Sequence, residues 1–333
     1  MHTLSASRSE ASVARLLRWT GIITTVGMFI VVAMGDLVTN AGAAEGCGRS
    51  WPLCKGQIVP VFTAATLIEF SHRLVVAVVS VGVIVLAAGA WLHRPARREL
   101  RLLAPAMVLF LLLQAVLGGA AVKWPQSPPV LALHLGVSLI AFATVLLTTA
   151  MLLEERSADR WRDRPAPVHF RRLVWVALLY LYLLVYLGAF VRHSHAELAC
   201  TGWPLCDGAV VPDLQGLALI NVAHRVAALI GACLFAVLWW QARRLRGRRP
   251  DLYWASTAAG VCLLAQALSG ALVALSQMAL WSALLHGALV ALVFGAVSYL
   301  CLHILPRSPI AETASQGESA VGSAMAVGGN LTP

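Results

Sequence analysis

The chain has 333 residues, of which 59% are hydrophobic and only 12% are charged, and its mean hydropathy is +0.78. This composition excludes a soluble enzyme, a disordered chain, a collagen-like repeat and a small disulfide-stabilised domain, and it is typical of a helical membrane protein. The formal charge of +10 does not indicate a nucleic-acid partner, because most Lys and Arg residues lie in short stretches between apolar runs, where charge sets membrane topology.

Eight apolar segments are long enough to cross a lipid bilayer. The hydrocarbon core is about 30 Å thick and requires about 20 helical residues. The predicted fold class is therefore an all-α integral membrane protein with eight transmembrane helices. The segments are residues 17–38, 65–92, 102–121, 128–153, 172–191, 214–240, 252–275 and 280–304.

The basic residues predict how these helices are oriented. Arg residues precede the first segment, follow the eighth and fill every second connection, which places all of these parts on the cytoplasmic side. We therefore predict a multi-pass protein of the cell (inner) membrane with both termini cytoplasmic. The predicted division is a cytoplasmic segment 1–16, a first bundle 17–155, a cytoplasmic linker 156–171, a second bundle 172–305 and a disordered tail 306–333.

The chain repeats itself at an offset of 152 residues, which indicates a duplicated four-helix unit. Because four is an even number, both copies have the same orientation, and we expect two side-by-side four-helix bundles related by a pseudo-twofold axis along the membrane normal. A Gln-x-x-x-Gly spacing recurs in both copies and is expected to allow close helix packing. The aligned pairs are Trp-Pro-Leu-Cys at 51–54 and 203–206, His72-Arg73 and His224-Arg225, Gln114 and Gln266, Gly118 and Gly270, and His134 and His286.

Four histidines lie at one depth below the outer ends of their helices: His72, His134, His224 and His286. Ionisable groups at this depth are costly and usually functional. Each ring could simply bond a neighbouring carbonyl, but two symmetric pairs favour a shared ligand. A zinc or copper site would need a third or fourth ligand in the layer, whereas two neutral imidazoles suit the axial positions of haem iron.

Charged residues beside the histidines add two further candidates. Arg73 and Arg225 could pair with haem propionates or extend toward lipid headgroups. Glu69 lies three residues before His72, on the same helical face, while the aligned residue of the second half is Asn221. Because oxidation at carbon needs a group that accepts protons or positions water, the first half is predicted to be catalytic. The structural alternative is a local pair between Glu69 and Arg73 at i+4.

Four cysteines lie in two outer loops at aligned places: Cys47, Cys54, Cys200 and Cys206. Loops facing an oxidising compartment usually form disulfides. Each loop pair could fix a lid over its histidine layer, or it could exchange electrons with a thiol partner. The three cysteines within helices, Cys233, Cys262 and Cys301, are expected to be packing residues.

Together the motifs Glu69-Phe70-Ser71-His72-Arg73, Asn221-Val222-Ala223-His224-Arg225, His134, His286 and the two Trp-Pro-Leu-Cys loops resemble the haem A synthase family. The resemblance covers about residues 17–305. It implies oxidation of the C8 methyl of haem O to the formyl group of haem A, with oxygen drawn from water, and it leaves a haem O synthase as a possible partner.

The same resemblance assigns residues. It implies that the substrate haem is bound between His72 and His134, with Glu69 needed for catalysis, and that haem b is held by His224 and His286. It also implies two disulfides, Cys47 with Cys54 and Cys200 with Cys206. The second loop departs from the first by being one residue shorter.

Two other functions use part of the same features. A bis-haem electron-transfer cytochrome would use the four histidines and leave Glu69 without a role. A membrane thiol oxidoreductase would use the loop cysteines and leave the histidines without a role. Analysis of extracted porphyrins separates the three, because only a haem A synthase yields hydroxylated or formylated haem.

Overall fold

The computed structural model describes residues 2–93, 97–124, 127–154, 164–209 and 215–305, with side chains from residue 11 onward. Several predicted features lie outside these residues. They are the tail 306–333, the first half of the linker 156–171, the end of the first bundle at 155 and the first residue of the segment 214–240.

The described residues form eight helices and no strand, which confirms the all-α fold class. All eight helices are long and apolar enough to cross a membrane, so the chain is a multi-pass membrane protein. The helices are α1 (His2–Asn40), α2 (Ala64–His93), α3 (Arg98–Lys123), α4 (Pro128–Leu153), α5 (Val168–His193), α6 (Gly216–Arg244), α7 (Pro250–Leu275) and α8 (Leu280–Ile304).

The beginning of α1 differs most from the prediction. The apolar segment begins at residue 17, but the helix begins at His2. Hydropathy detects only the part of a helix that lipid would surround, and residues 2–16 contain no Gly or Pro to end the helix earlier. The predicted cytoplasmic segment 1–16 is therefore largely a helical extension of the first span.

The helices pack in two groups of four. In the first group α1 contacts α2 and α4, and α3 contacts α2 and α4; in the second group α5 contacts α6 and α8, and α7 contacts α6 and α8. The groups meet where α4 contacts α5 and α8, and where α1 contacts α8. Helices α4 and α8 are accordingly the most buried of the eight. The pseudo-twofold axis and the domain boundaries stay predictions.

Two loops at one end of the molecule bring the cysteines next to the helices that carry the histidines. The first loop, residues 41–63, joins α1 to α2, and the second loop, residues 194–215, joins α5 to α6. The short connections from α3 to α4 and from α7 to α8 lie at the same end. The first residue of α1 and the last residue of α8 lie at the opposite end.

Candidate functional site

The four histidines form one pair in each group of helices. His72 and His224 lie in the third turn of α2 and α6, and His134 and His286 lie in the second turn of α4 and α8. His72 and His134 are close enough to interact electrostatically, as are His224 and His286. Every second helix of the chain therefore contributes one imidazole, counted from the same end of the molecule.

Each imidazole lies against a glycine of a neighbouring helix. An added Cβ would crowd the ring at Gly188 and Gly270 and would make an ordinary van der Waals contact with it at Gly35 and Gly118. The distances from an added Cβ to the ring Cε1 are 3.5 Å from Gly35 to His72, 3.6 Å from Gly118 to His134, 2.9 Å from Gly188 to His224 and 3.2 Å from Gly270 to His286.

Three of the four rings have a buried nitrogen without a partner in the described residues. The Nδ1 atoms of His72, His134 and His224 are buried and have no hydrogen-bond partner among the described residues. Within those residues, no three His, Cys, Asp or Glu side chains converge as ligands of a metal ion. Two neighbouring imidazoles without a third protein ligand suit a porphyrin, which itself supplies the other four ligands of its iron.

Glu69 is buried, with 3% of the residue exposed, and connects α2 to the first loop. Its Oε2 accepts a hydrogen bond of 2.7 Å from the backbone N–H of Cys47, and its Oε1 pairs with Arg73. The local pair with Arg73 that the spacing allowed is thus present. In the second half the side chain is the donor and the loop is the acceptor: Asn221 Nδ2 donates to the carbonyl of Ala196 at 2.8 Å.

Arg73 and Arg225 hold the two loops onto the helices, a role that the sequence did not indicate. Arg73 Nη1 donates to the carbonyls of Ser50 at 2.8 Å and Leu53 at 2.9 Å. Arg225 Nη1 donates to the carbonyl of Gly202 at 2.6 Å, and its Nη2 donates to that of Cys200 at 2.8 Å. Contact of either guanidinium with haem propionates stays a prediction.

Both loops contain a disulfide, Cys47–Cys54 with an S–S distance of 2.01 Å and Cys200–Cys206 with 1.97 Å. The shorter second loop therefore closes its disulfide as well. Asp207 follows this disulfide and accepts hydrogen bonds from the hydroxyl and backbone N–H of Thr201, which lower the pKa of its carboxyl group. The disulfide in the first loop lies beside Glu69, because Cys47 donates to that carboxylate.

Asp36 is a second carboxylate that sequence reasoning missed. It follows Gly35 on α1, and its Oδ1 accepts a hydrogen bond of 2.8 Å from Asn40 Nδ2. Its Oδ2 is buried, has no hydrogen-bond partner in the described part of the chain and packs against Gly287. Asp36 therefore lies where α1 meets α8. It follows Gly35, which lies against the His72 ring, and it contacts Gly287, which follows His286. The sequence did contain a signal for Asp36, because an isolated carboxylate within an apolar membrane span is usually functional.

A buried polar network at the opposite end also escaped the sequence reasoning. Arg249 pairs with Asp251 at 2.7 Å, and His303 contacts Asp251 at 3.0 Å and Glu154 at 3.3 Å. Tyr299 donates to Glu154. Burial alone would raise the pKa of Glu154, but the contacts with His303 and Tyr299 outweigh it and hold that pKa below its ordinary value. The network joins α4 to α7 and α8.

Fold and site together define the class: a polytopic membrane protein with paired intramembrane histidines suited to porphyrin iron. The family model described as "Cytochrome oxidase assembly protein", COX15-CtaA, matches residues 59–298. The chain belongs to this family.

Curated relatives named haem A synthase cover most of the chain. The protein of that name from Symbiobacterium thermophilum is 41% identical over 298 residues, which is 88% of this chain and 96% of the relative. That from Geobacillus kaustophilus is 40% identical over 310 residues, 92% of this chain and 98% of the relative. That from Geobacillus thermodenitrificans is 38% identical over 291 residues, 86% and 91% respectively.

Proposed function

We propose that this chain is a haem A synthase, an oxidoreductase that converts the C8 methyl group of haem O to the formyl group of haem A. The family and the curated relatives support this reaction. The observation that carries it is the pair of imidazoles in each half, each ring set against a glycine, together with a buried carboxylate beside only one pair.

The two pairs have different tasks in this proposal. His72 and His134 bind the substrate haem, and His224 and His286 hold haem b as the resident cofactor. Conversion of the methyl to the formyl group with water as oxygen source releases four electrons and four protons, and haem b, when bound, would pass these electrons one at a time to an external electron acceptor. The protein orients both porphyrins through these rings, and the loops held by Arg73 and Arg225 shield their edges from water.

Glu69 is the proposed catalytic residue. Oxidation of a methyl group with water as the oxygen source releases protons, so a carboxylate near the substrate pair has a defined task as proton acceptor. The hydrogen bond from Cys47 and the pair with Arg73 keep this carboxylate in one position. Asn221, its counterpart, has no basic oxygen of comparable strength, which suits a half that only holds a cofactor.

The proposed setting is the cell (inner) membrane, with both termini in the cytoplasm and the disulfide-bearing loops on the outer side. This orientation is supported by the distribution of Arg residues and by the presence of both disulfides in the loops. Haem O reaches the first half from within the bilayer. A haem O synthase is the proposed partner that supplies it.

The experiment compares Glu69→Gln with Asn221→Ala in cells that supply haem O, and extracted haems are separated by chromatography and identified by mass. We expect Glu69→Gln to retain haem b but to form no haem A, whereas Asn221→Ala still forms haem A. Normal haem A in the Glu69→Gln extract would exclude the catalytic role of this carboxylate. Two haems of unchanged structure in the wild-type extract would instead favour an electron-transfer cytochrome.

A further inference from the structure

The ring of His286 differs from the other three histidine rings in its hydrogen bonding. Its Nδ1 lies 2.9 Å from the hydroxyl of Ser269. The Nδ1 atoms of His72, His134 and His224 are buried without a partner in the described residues. One of the two proposed haem b ligands thus has a hydroxyl neighbour at Nδ1, and Nε2 is the nitrogen that would be left to bind iron.

The bonds around Ser269 assign the proton on this ring. The Ser269 hydroxyl donates to the carbonyl of Gln266 at 2.8 Å, so its oxygen is left to accept from Nδ1–H of His286. On this basis we assign the ring proton to Nδ1, which leaves the lone pair of Nε2 to bind iron. The Gln266 amide nitrogen lies 3.1 Å from both ring nitrogens, Nδ1 and Nε2, and an iron bound at Nε2 would take its place there.

The first half lacks this arrangement. At the offset of 152 residues the counterpart of Ser269 is Leu117, which has no polar group. The counterpart of Gln266 is Gln114, and its amide donates to the backbone carbonyl of His134 at 2.9 Å rather than to the ring. The Nδ1 atom of His134 therefore has no hydrogen-bond partner in the described residues, unlike that of His286.

We propose that Ser269 is a positioning residue that holds His286 as an iron ligand and makes the second half the permanent haem holder. This inference rests on the proposed function, and it explains how two similar pairs retain one haem and exchange the other. A hydrogen bond from the outer nitrogen fixes the tautomer and strengthens the ligand, and loss of such a partner typically weakens metal binding about 10- to 100-fold. Leu117 leaves His134 a weaker ligand, as a substrate that enters and leaves requires.

The test uses full-length protein purified in detergent, with Ser269→Ala compared with Ser256→Ala. Ser256 is a buried serine of the same helix whose hydroxyl has no hydrogen-bond partner in the described residues. We expect Ser269→Ala to weaken haem b retention about tenfold or more and to raise its midpoint potential, because a less basic imidazole stabilises ferric iron less. Ser256→Ala should change neither quantity. A wild-type potential and retention in Ser269→Ala would overturn the inference.

The reciprocal variant Leu117→Ser tests the other half. It places a hydroxyl where the first half has none, and we expect more haem per chain to survive washing than in wild type. No gain in haem content would contradict the role given to Leu117. These readouts do not depend on haem A formation. Wild-type protein that binds no haem would contradict the proposed function. If wild-type protein binds haem b and Ser269→Ala binds it equally well, only this inference is contradicted.

Discussion

Replacing Gly188 with Ala should weaken haem binding without weakening the fold. The new Cβ would lie 2.9 Å from Cε1 of His224, closer than van der Waals contact allows. The ring is the movable partner, because it is the end of a side chain while Gly188 is fixed in α5. The contact is relieved when the imidazole swings away, which removes it from the position in which it binds iron.

The size of the effect follows from the crowding. Inserting a methyl group into a packed site typically costs about 1 to 3 kcal/mol, and each 1.4 kcal/mol corresponds to about a tenfold change in affinity. We therefore expect haem b affinity to fall about 5- to 150-fold. Ala is favoured over Gly within a helix by roughly 0.5 to 1 kcal/mol, so the free energy of unfolding of the haem-free protein should not decrease.

The assay measures Soret absorbance per chain in purified protein and, separately, thermal unfolding of the haem-free form. Gly260→Ala is the matched control in the same half, because an added Cβ there has no neighbour within 4 Å. Gly35→Ala is the comparison in the first half. Its Cβ would lie 3.5 Å from His72 Cε1, which is an ordinary contact, so this variant should still form haem A. Equal haem content in Gly188→Ala and Gly260→Ala would refute the reasoning.

Three further predictions concern the buried network and the first loop. Arg249→Met removes the guanidinium from the buried carboxylate of Asp251 and leaves the His303 ring as its partner within the described residues, so unfolding in denaturing detergent should show a loss of up to about 3 to 5 kcal/mol; a loss below about 1 kcal/mol would contradict this. The lowered pKa of Glu154 means that its stabilising contribution is present above its ordinary pKa of 4.5 and is lost as the pH falls toward the lower pKa of the folded state; Glu154→Gln should flatten this acid limb in thermal unfolding against pH, and an unchanged limb contradicts it. Cys54→Ser opens a disulfide that joins residues seven apart, so the first loop should lose about 2 to 3 kcal/mol of stability, measured as earlier proteolysis of the loop under mild denaturation; protection equal to wild type would contradict this.

The transmembrane helices could be predicted because their signal is local. A run of apolar residues about 20 long has few other structures available in a bilayer, and each predicted segment lies within or close to a helix. The extension of α1 to His2 was missed because its residues are polar. Both loop disulfides agree with the pairing implied by the family resemblance, since the paired cysteines are close in sequence and have few other partners.

Contacts between distant parts of the chain could not be predicted in the same way. Arg73 donates hydrogen bonds to backbone carbonyls of the first loop. Every residue has such a carbonyl, so the sequence does not indicate which of them will accept. Asp36 meets Gly287 across the contact of α1 with α8, which depends on how the two groups of helices pack. The hydrogen bond between Ser269 and His286 depends on the rotation of α7 about its axis, and a serine in an apolar helix usually bonds its own backbone.

The two halves differ in a consistent way: the second has closer contacts to its histidine rings, and the first has a buried carboxylate. At equivalent places the second half has Ser269 against a histidine ring where the first has Leu117, and Gly188 leaves less room beside its ring than Gly35 does. The first half instead has Glu69, buried and held by the first loop. A site that must admit and release a porphyrin cannot also grip it tightly, because each added contact to the ligand lowers the rate of release. In the proposed function, duplication followed by such divergence would give the second half the contacts that retain a haem and the first half the carboxylate that accepts protons from the substrate.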